Sequence, residues 1–137
     1  MDAEALQAFL AKPHDAIIAT NRPGKGAQLS PVWFLWDGES FFFGTQKATA
    51  KYTNIMRDPN ISVIVNDTAT HTFVTAHGRA EIVSPEKYPE MGKALLEKYV
   101  PAEMREQLEK AIEANQRSER IIIVLKPEKI TGWSAPA

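Results

Sequence analysis

Apolar residues along this chain fall into short runs whose period changes from two to nearly four and back. Residues 72–83, "TFVTAHGRAEIV", alternate cleanly. Val74, Ala76, Gly78, Ala80 and Ile82 point one way, and Thr75, His77, Arg79 and Glu81 the other, so a half-buried strand is predicted. "AIIAT" (16–20), "QLSPVWFLW" (28–36), "SFFFGT" (40–45) and "ISVIVN" (61–66) predict four more strands. "NRPGKG" (21–26) and "DGE" (37–39) supply turns. "RIIIVLKPEKITGW" (120–133) predicts a sixth strand, a proline-containing corner and a short extended end. Helical spacing predicts helices at 2–11, 48–57, 85–99 and 102–117. In the second, Ala48, Tyr52, Ile55 and Met56 share a face, and Asp58-Pro59 stops it. In the last, Leu108, Ala111 and Ile112 face inward.

Six short strands joined mostly by tight turns predict a mainly β chain with helices: an antiparallel barrel with the helices packed outside. The turns between the first three strands are too short for parallel crossovers. Pro31 cannot donate to a ladder, so it marks an edge, a bulge or backbone facing a ligand. Phe41, Phe42 and Phe43, and the run from Val32 to Trp36, are apolar on both faces of their strands. Something must cover the outer face. A second copy of the chain is the simplest cover, and the C-terminal helices are the alternative.

Composition narrows the chemistry. The 137 residues suit one domain, 1–137, and 44% hydrophobic with 24% charged residues is the balance of an ordinary globular chain. A formal net charge of −1 offers no general attraction for nucleic acid or an anionic membrane. With no cysteine, a disulfide framework, a thiolate metal site and a cysteine nucleophile are excluded. No metal site is expected from the spacing of His14, His71 and His77. No apolar run approaches the roughly 20 residues of a membrane span, and the acidic N-terminus is no signal peptide. A soluble, cytoplasmic protein is expected. Phosphate-loop, dinucleotide-loop, zinc-protease and nucleophile-elbow motifs are absent. If the chain is an enzyme, a cofactor carries the reaction.

One stretch points to where that cofactor would bind. In "GTQKATAKYTNIMRDPN" (44–60), Lys47 and Lys51 flank the start of a predicted helix, where acidic residues are normally favoured. Thr45 and Thr49 lie beside them. Hydroxyls, ammonium groups and free helical N–H groups together suit a phosphate. The same spacing equally describes a solvated lysine face. Trp33, Trp36 and Trp133 offer flat rings near such a surface, or core and interface contacts.

The run "SPVWFLWDGESFFFGTQKATAKYTNIMRDPNISVIVND", then "HGRAEIV" and "RIIIVLKPEKITGW", resembles the split β-barrel flavin-binding family related to pyridoxamine phosphate oxidase. Within it the chain is most similar to the small flavin/deazaflavin oxidoreductases of the B group, which use coenzyme F-420 and in some members FMN or FAD. The resemblance implies a six-stranded split barrel and a homodimer with cofactor sites at the subunit interface. It implies that Lys51 and Thr49 bind the cofactor phosphate and that Thr45 and Lys47 line the same phosphate or its tail. The backbone of Pro31, Val32 and Trp33 would lie along the flavin ring edge, and Trp133 would approach from the partner subunit. The implied activity is hydride transfer from reduced F-420, or FMN, to a small conjugated acceptor. A carrier that binds a flavin, deazaflavin or tetrapyrrole without turnover is the alternative. Pyridoxamine phosphate oxidases also carry a phosphate-gripping Arg on the second strand and basic residues near the C-terminus. Neither is present here, which argues against oxidation of a vitamin B6 phosphate.

Overall fold

The computed structural model describes residues 1–136. Eight strands make one antiparallel sheet that curls into a half-barrel: β1 (Asp15–Thr20), β2 (Gln28–Val32), β3 (Leu35–Trp36), β4 (Phe41–Gln46), β5 (Asn60–Asp67), β6 (Thr72–Val83), β7 (Arg120–Leu125) and β8 (Lys129–Ser134). Seven run in the order β2-β1-β5-β6-β7-β4-β3, and β8 pairs with β6. Four α-helices accompany them: α1 (Ala3–Leu10), α2 (Ala50–Arg57), α3 (Met91–Tyr99) and α4 (Arg105–Ala114).

The strand count corrects the expected six in two places. The predicted strand 28–36 is broken at Trp33-Phe34, because Phe34 turns its ring fully into the core and its backbone N–H goes to the Tyr99 hydroxyl instead of a ladder. The extended end after Pro127 is a full strand, paired with β6 from Thr72↔Ser134 to His77↔Lys129. Helix 85–99 is likewise two pieces, a 3₁₀ turn at Pro85–Lys87 and then α3, with Pro89 between them. In α4 no residue is buried, and Ala111 is exposed rather than inward.

The long strand β6 makes the barrel split. Its first part pairs with β5 on one edge and β8 on the other, while Ala80–Val83 pair with β7. The exchange of neighbour falls at Gly78. A Cβ there would sit 3.1 Å from the Glu128 N and 3.2 Å from the Lys126 carbonyl oxygen, both backbone atoms. The core inside the curl is built from the inward residues of every strand, with Phe34, Phe41, Phe43, Ile18, Val65, Val74, Ile123 and Leu125 essentially fully buried. Burial at this level stabilises by roughly 1.5–3 kcal/mol per large side chain.

Phe42 points outward from β4, as alternation requires. The chain itself covers it: Met91 and Leu95 of α3, with Tyr88, close over Phe42 and Ile122 as a second apolar cluster. The two-faced hydrophobicity of β4 is therefore satisfied by a C-terminal helix. Uncovered apolar residues lie elsewhere, on the outer face of β1, β2, β5, β6 and β8. There Leu29 is 66% exposed, Trp133 51% and Ile64 37%.

Candidate functional site

The strand end of β4 runs directly into α2, and the turn between them is stitched to the segment entering β7. Gln46 Oε1 accepts from the N–H groups of Arg117 (2.7 Å) and Ser118 (3.0 Å). The Lys47 N–H donates to the Glu119 carbonyl (2.9 Å), and the Ala48 N–H to Ser118 Oγ (2.9 Å). Thr49 is the N-cap of α2, which starts at Ala50, two residues later than the predicted start at Ala48. Its hydroxyl donates to the Gln46 carbonyl at 2.8 Å and accepts from the Tyr52 N–H at 3.4 Å. A hydroxyl has one proton, so Thr45, 3.1 Å away, is the donor in the Thr45–Thr49 pair. Thr49 is thus fully engaged in capping, and Thr45 is buried behind it. The N–H groups of Ala50 and Lys51 have no acceptor among the described residues. They are the helix-start donors open to a ligand.

The lysines differ sharply. Lys47 is exposed and ion-paired with Glu119 at 2.9 Å, and that carboxylate raises its pKa. Lys51 makes no ion pair or hydrogen bond among the described residues, and partial burial lowers its pKa. A half-buried ammonium without a counter-ion is costly unless an anion joins it.

Lys51 lines a cleft of about 640 Å³ together with Pro31, Val32 and Trp33 of the β2–β3 break, Gly44, Leu95 and Arg120. Four of the eight residues singled out from the sequence therefore share one cleft. Thr45, Thr49 and Lys47 build the turn at its end. Trp133 does not line it: it stacks on Phe73 on the outer sheet face, at 5.8 Å between ring centroids. Trp36 also lies away from the cleft, its indole N–H donating to Gln7 at 2.7 Å.

The tryptophan wall is held from α3. Trp33 stacks on Tyr99 at 5.1 Å and 6°. The Tyr99 hydroxyl donates to the His14 carbonyl (3.0 Å) and accepts the Phe34 N–H (3.4 Å). Lys98 Nζ donates to the carbonyls of Leu10 (3.1 Å) and Phe34 (2.9 Å) and lies 3.7 Å from the Phe34 ring centroid. Burial pushes the Lys98 pKa down to about 8 and that of Tyr99 up to about 12. This pair is not visible in the sequence, because both residues sit among ordinary helix formers. Arg120 was equally hidden at the head of an apolar strand, where only the register Gln46↔Arg120 brings it to the site.

The fold is a curled antiparallel half-barrel with a strand-to-helix turn at one end of an aromatic-walled cleft. The chain belongs to the pyridoxamine 5'-phosphate oxidase family, whose model matches residues 3–134. No curated protein matches it by sequence. Among solved structures, an F-420 reductase superimposes with a TM-score of 0.70 at 26% identity, covering 91% of this chain and 94% of its own. A conserved hypothetical protein from Mycobacterium tuberculosis gives 0.76 at 22% identity, covering 98% and 85%. A FAD-binding protein from Mesorhizobium loti gives 0.69 at 13%, covering 99% and 96%, a likeness of fold.

Proposed function

We propose that the protein binds a phosphate-bearing flavin-type cofactor, reduced coenzyme F-420 with FMN or FAD as the alternatives, and passes a hydride to a small conjugated acceptor. The observation that carries this reading is Lys51: a half-buried ammonium with no partner among the described residues, beside two helix-start N–H groups that are unbonded there, in a cleft wide enough for a ring system. These residues fit a phosphate. Lys51 and the N–H groups of Ala50 and Lys51 hold it, with Lys47 and the Thr45–Thr49 pair shaping the turn. Pro31, Val32 and Trp33 bound the ring, and proline leaves that edge without one donor. When bound, such a cofactor supplies hydride chemistry. The chain's part is to bind, orient the acceptor and limit access of water. The likeness to an F-420 reductase at 26% identity supports F-420 as the first choice.

The working form we propose is a homodimer. The outer face of β1, β2, β5, β6 and β8 presents Leu29, Ile64 and Trp133 to solvent in one chain, with Phe73 half-buried beneath Trp133. Trp133 can serve a cleft only from a second copy, which agrees with its place on that face.

The test is titration of purified protein with F-420 and with FMN while ring fluorescence is followed. Micromolar binding of one is expected. No binding of either below about millimolar, roughly −4 kcal/mol, overturns the reading. Reduced cofactor is then offered quinones, enones and biliverdin-like acceptors. Binding without reoxidation by any of them makes the protein a carrier.

A further inference from the structure

Arg120 is the first residue of β7 and faces outward, opposite Gln46 of β4. Its guanidinium lies against Gly44, where an added Cβ would sit 3.2 Å from Nη2. A methyl group at 44 would press on it by a few tenths of an ångström. Arg120 lines the same cleft as Lys51, yet it forms no hydrogen bond or ion pair among the described residues. The adjacent acid, Glu119, is taken by Lys47 at 2.9 Å. Asp15 is the one carboxylate in the cleft lining, against two cations. A guanidinium offers a planar fork of donors that matches phosphate or carboxylate oxygens, and partial burial without such a partner is unfavourable. Lys51 reaches the cleft from α2 and Arg120 from the start of β7, so the two cations enter it from different elements.

We propose that Arg120 is a second, separate anion anchor of this cleft, so that the ligand carries anionic groups at two points, one at Lys51 and one at Arg120, with Gly44 making room for the guanidinium. The inference rests on the reading of the cleft as a flavin-type site and adds a charge requirement to it. It favours a cofactor with a second phosphate or a carboxylate beyond its first phosphate over a lone monophosphate.

Two measurements test it. In the first, F-420 and riboflavin, which has no anionic group, are titrated into wild type, Arg120→Gln, Gly44→Ala and the Arg120→Gln/Lys51→Gln double variant. Arg120→Gln should weaken F-420 by about tenfold, the scale of one charge-assisted hydrogen bond, and leave riboflavin unchanged. Gly44→Ala, which shifts the guanidinium slightly with every charge kept, should weaken F-420 less than Arg120→Gln does, and the double variant should show the two losses multiplied. In the second, inorganic pyrophosphate is titrated into wild type with NMR detection of the Arg120 Nε–H and the Lys51 amide; both should shift. Unchanged F-420 affinity in Arg120→Gln, or an equal loss for riboflavin, overturns the anchor and leaves the flavin reading standing. Pyrophosphate shifts at both residues without binding of any flavin overturn the flavin reading and keep the anchor. No shift at Arg120 and no flavin binding overturn both.

Discussion

Thr49 and Lys51 stand two residues apart and do different work. Thr49 gives its one proton to Gln46 and receives two others, so it orders the turn. Lys51 has no partner among the described residues, which makes it the residue on which the proposed anion site is tested. Lys51→Ala should weaken F-420 or FMN binding by about 1.5–3 kcal/mol, with the thermal midpoint of the free protein little changed. The ammonium is the acidic form of the group. Binding of the anion is therefore full below the Lys51 pKa and falls as pH rises through it, and burial brings that fall below the ordinary lysine value of 10.5. Lys51→Arg stays charged across the range, so its affinity profile should be flatter on the alkaline side; equal profiles would remove Lys51 from the anion site. Residue type and spacing made this lysine visible in the sequence, but not its difference from Lys47, which depends on Glu119 arriving from a distant segment. Helical periodicity failed in the same way inside α2. It placed Met56 inward, yet Met56 is exposed and Asn54 is buried instead. Asn54 is accepted there because its amide donates to Thr20 Oγ1 at 3.1 Å and Gln28 Oε1 at 2.8 Å.

At the scale of elements, two features locate the cleft, and both come from contacts that a linear pattern does not carry. The first is the break between β2 and β3. Alternation predicts one strand through Trp36, because every residue from Val32 onward suits a strand. The strand ends early because α3 offers better partners: Tyr99 takes the Phe34 N–H, and Lys98 takes its carbonyl. Tyr99→Phe should cost about 1–3 kcal/mol, since it strands the Phe34 N–H and the His14 carbonyl, measured by denaturant unfolding. It should also change Trp33 emission, whereas a purely local loss of stability would leave the folded-state spectrum unaltered. The second is the handover from β7 to β8 along β6. The alternation of β6 was read correctly for the nine residues from Val74 to Ile82, but nothing in the sequence marked Gly78 as more than a small inward position. Gly78→Ala would press a methyl group against the backbone of Lys126–Glu128, which cannot rotate away. A loss of about 1–3 kcal/mol is expected for such overpacking. A stability equal to wild type would show that the corner can yield.

For the whole molecule, the surface that would meet a second subunit is not the one around Phe41–Phe43. Hydrophobicity on both faces of residues 41–43 first suggested an outside partner, but Met91, Leu95 and Tyr88 already cover Phe42. The face left open is the other one, where Leu29 lies opposite Ala19, Pro31 opposite Ile17, and Phe73 opposite Trp133. Its breadth depends on which strands are neighbours, and that order is not legible in a chain read end to end. The mainly antiparallel β architecture was legible, because it follows from period and turn chemistry alone. A charge placed in the centre of this face should separate two copies, since burying it unpaired costs several kcal/mol. Leu29→Glu combined with Ile64→Glu, both outward and already exposed in one chain, should leave the fold intact. Light scattering should then report the mass of one chain where wild type reports two. If Trp133 completes the cleft of the opposite copy, the separated chain should also lose cofactor affinity, although Lys51 and the α2 turn are untouched. Trp133→Ala in the wild-type background should reproduce the affinity loss while the dimer persists. A monomeric wild type, or a separated variant that binds cofactor as tightly as the parent, would place the whole site within one chain.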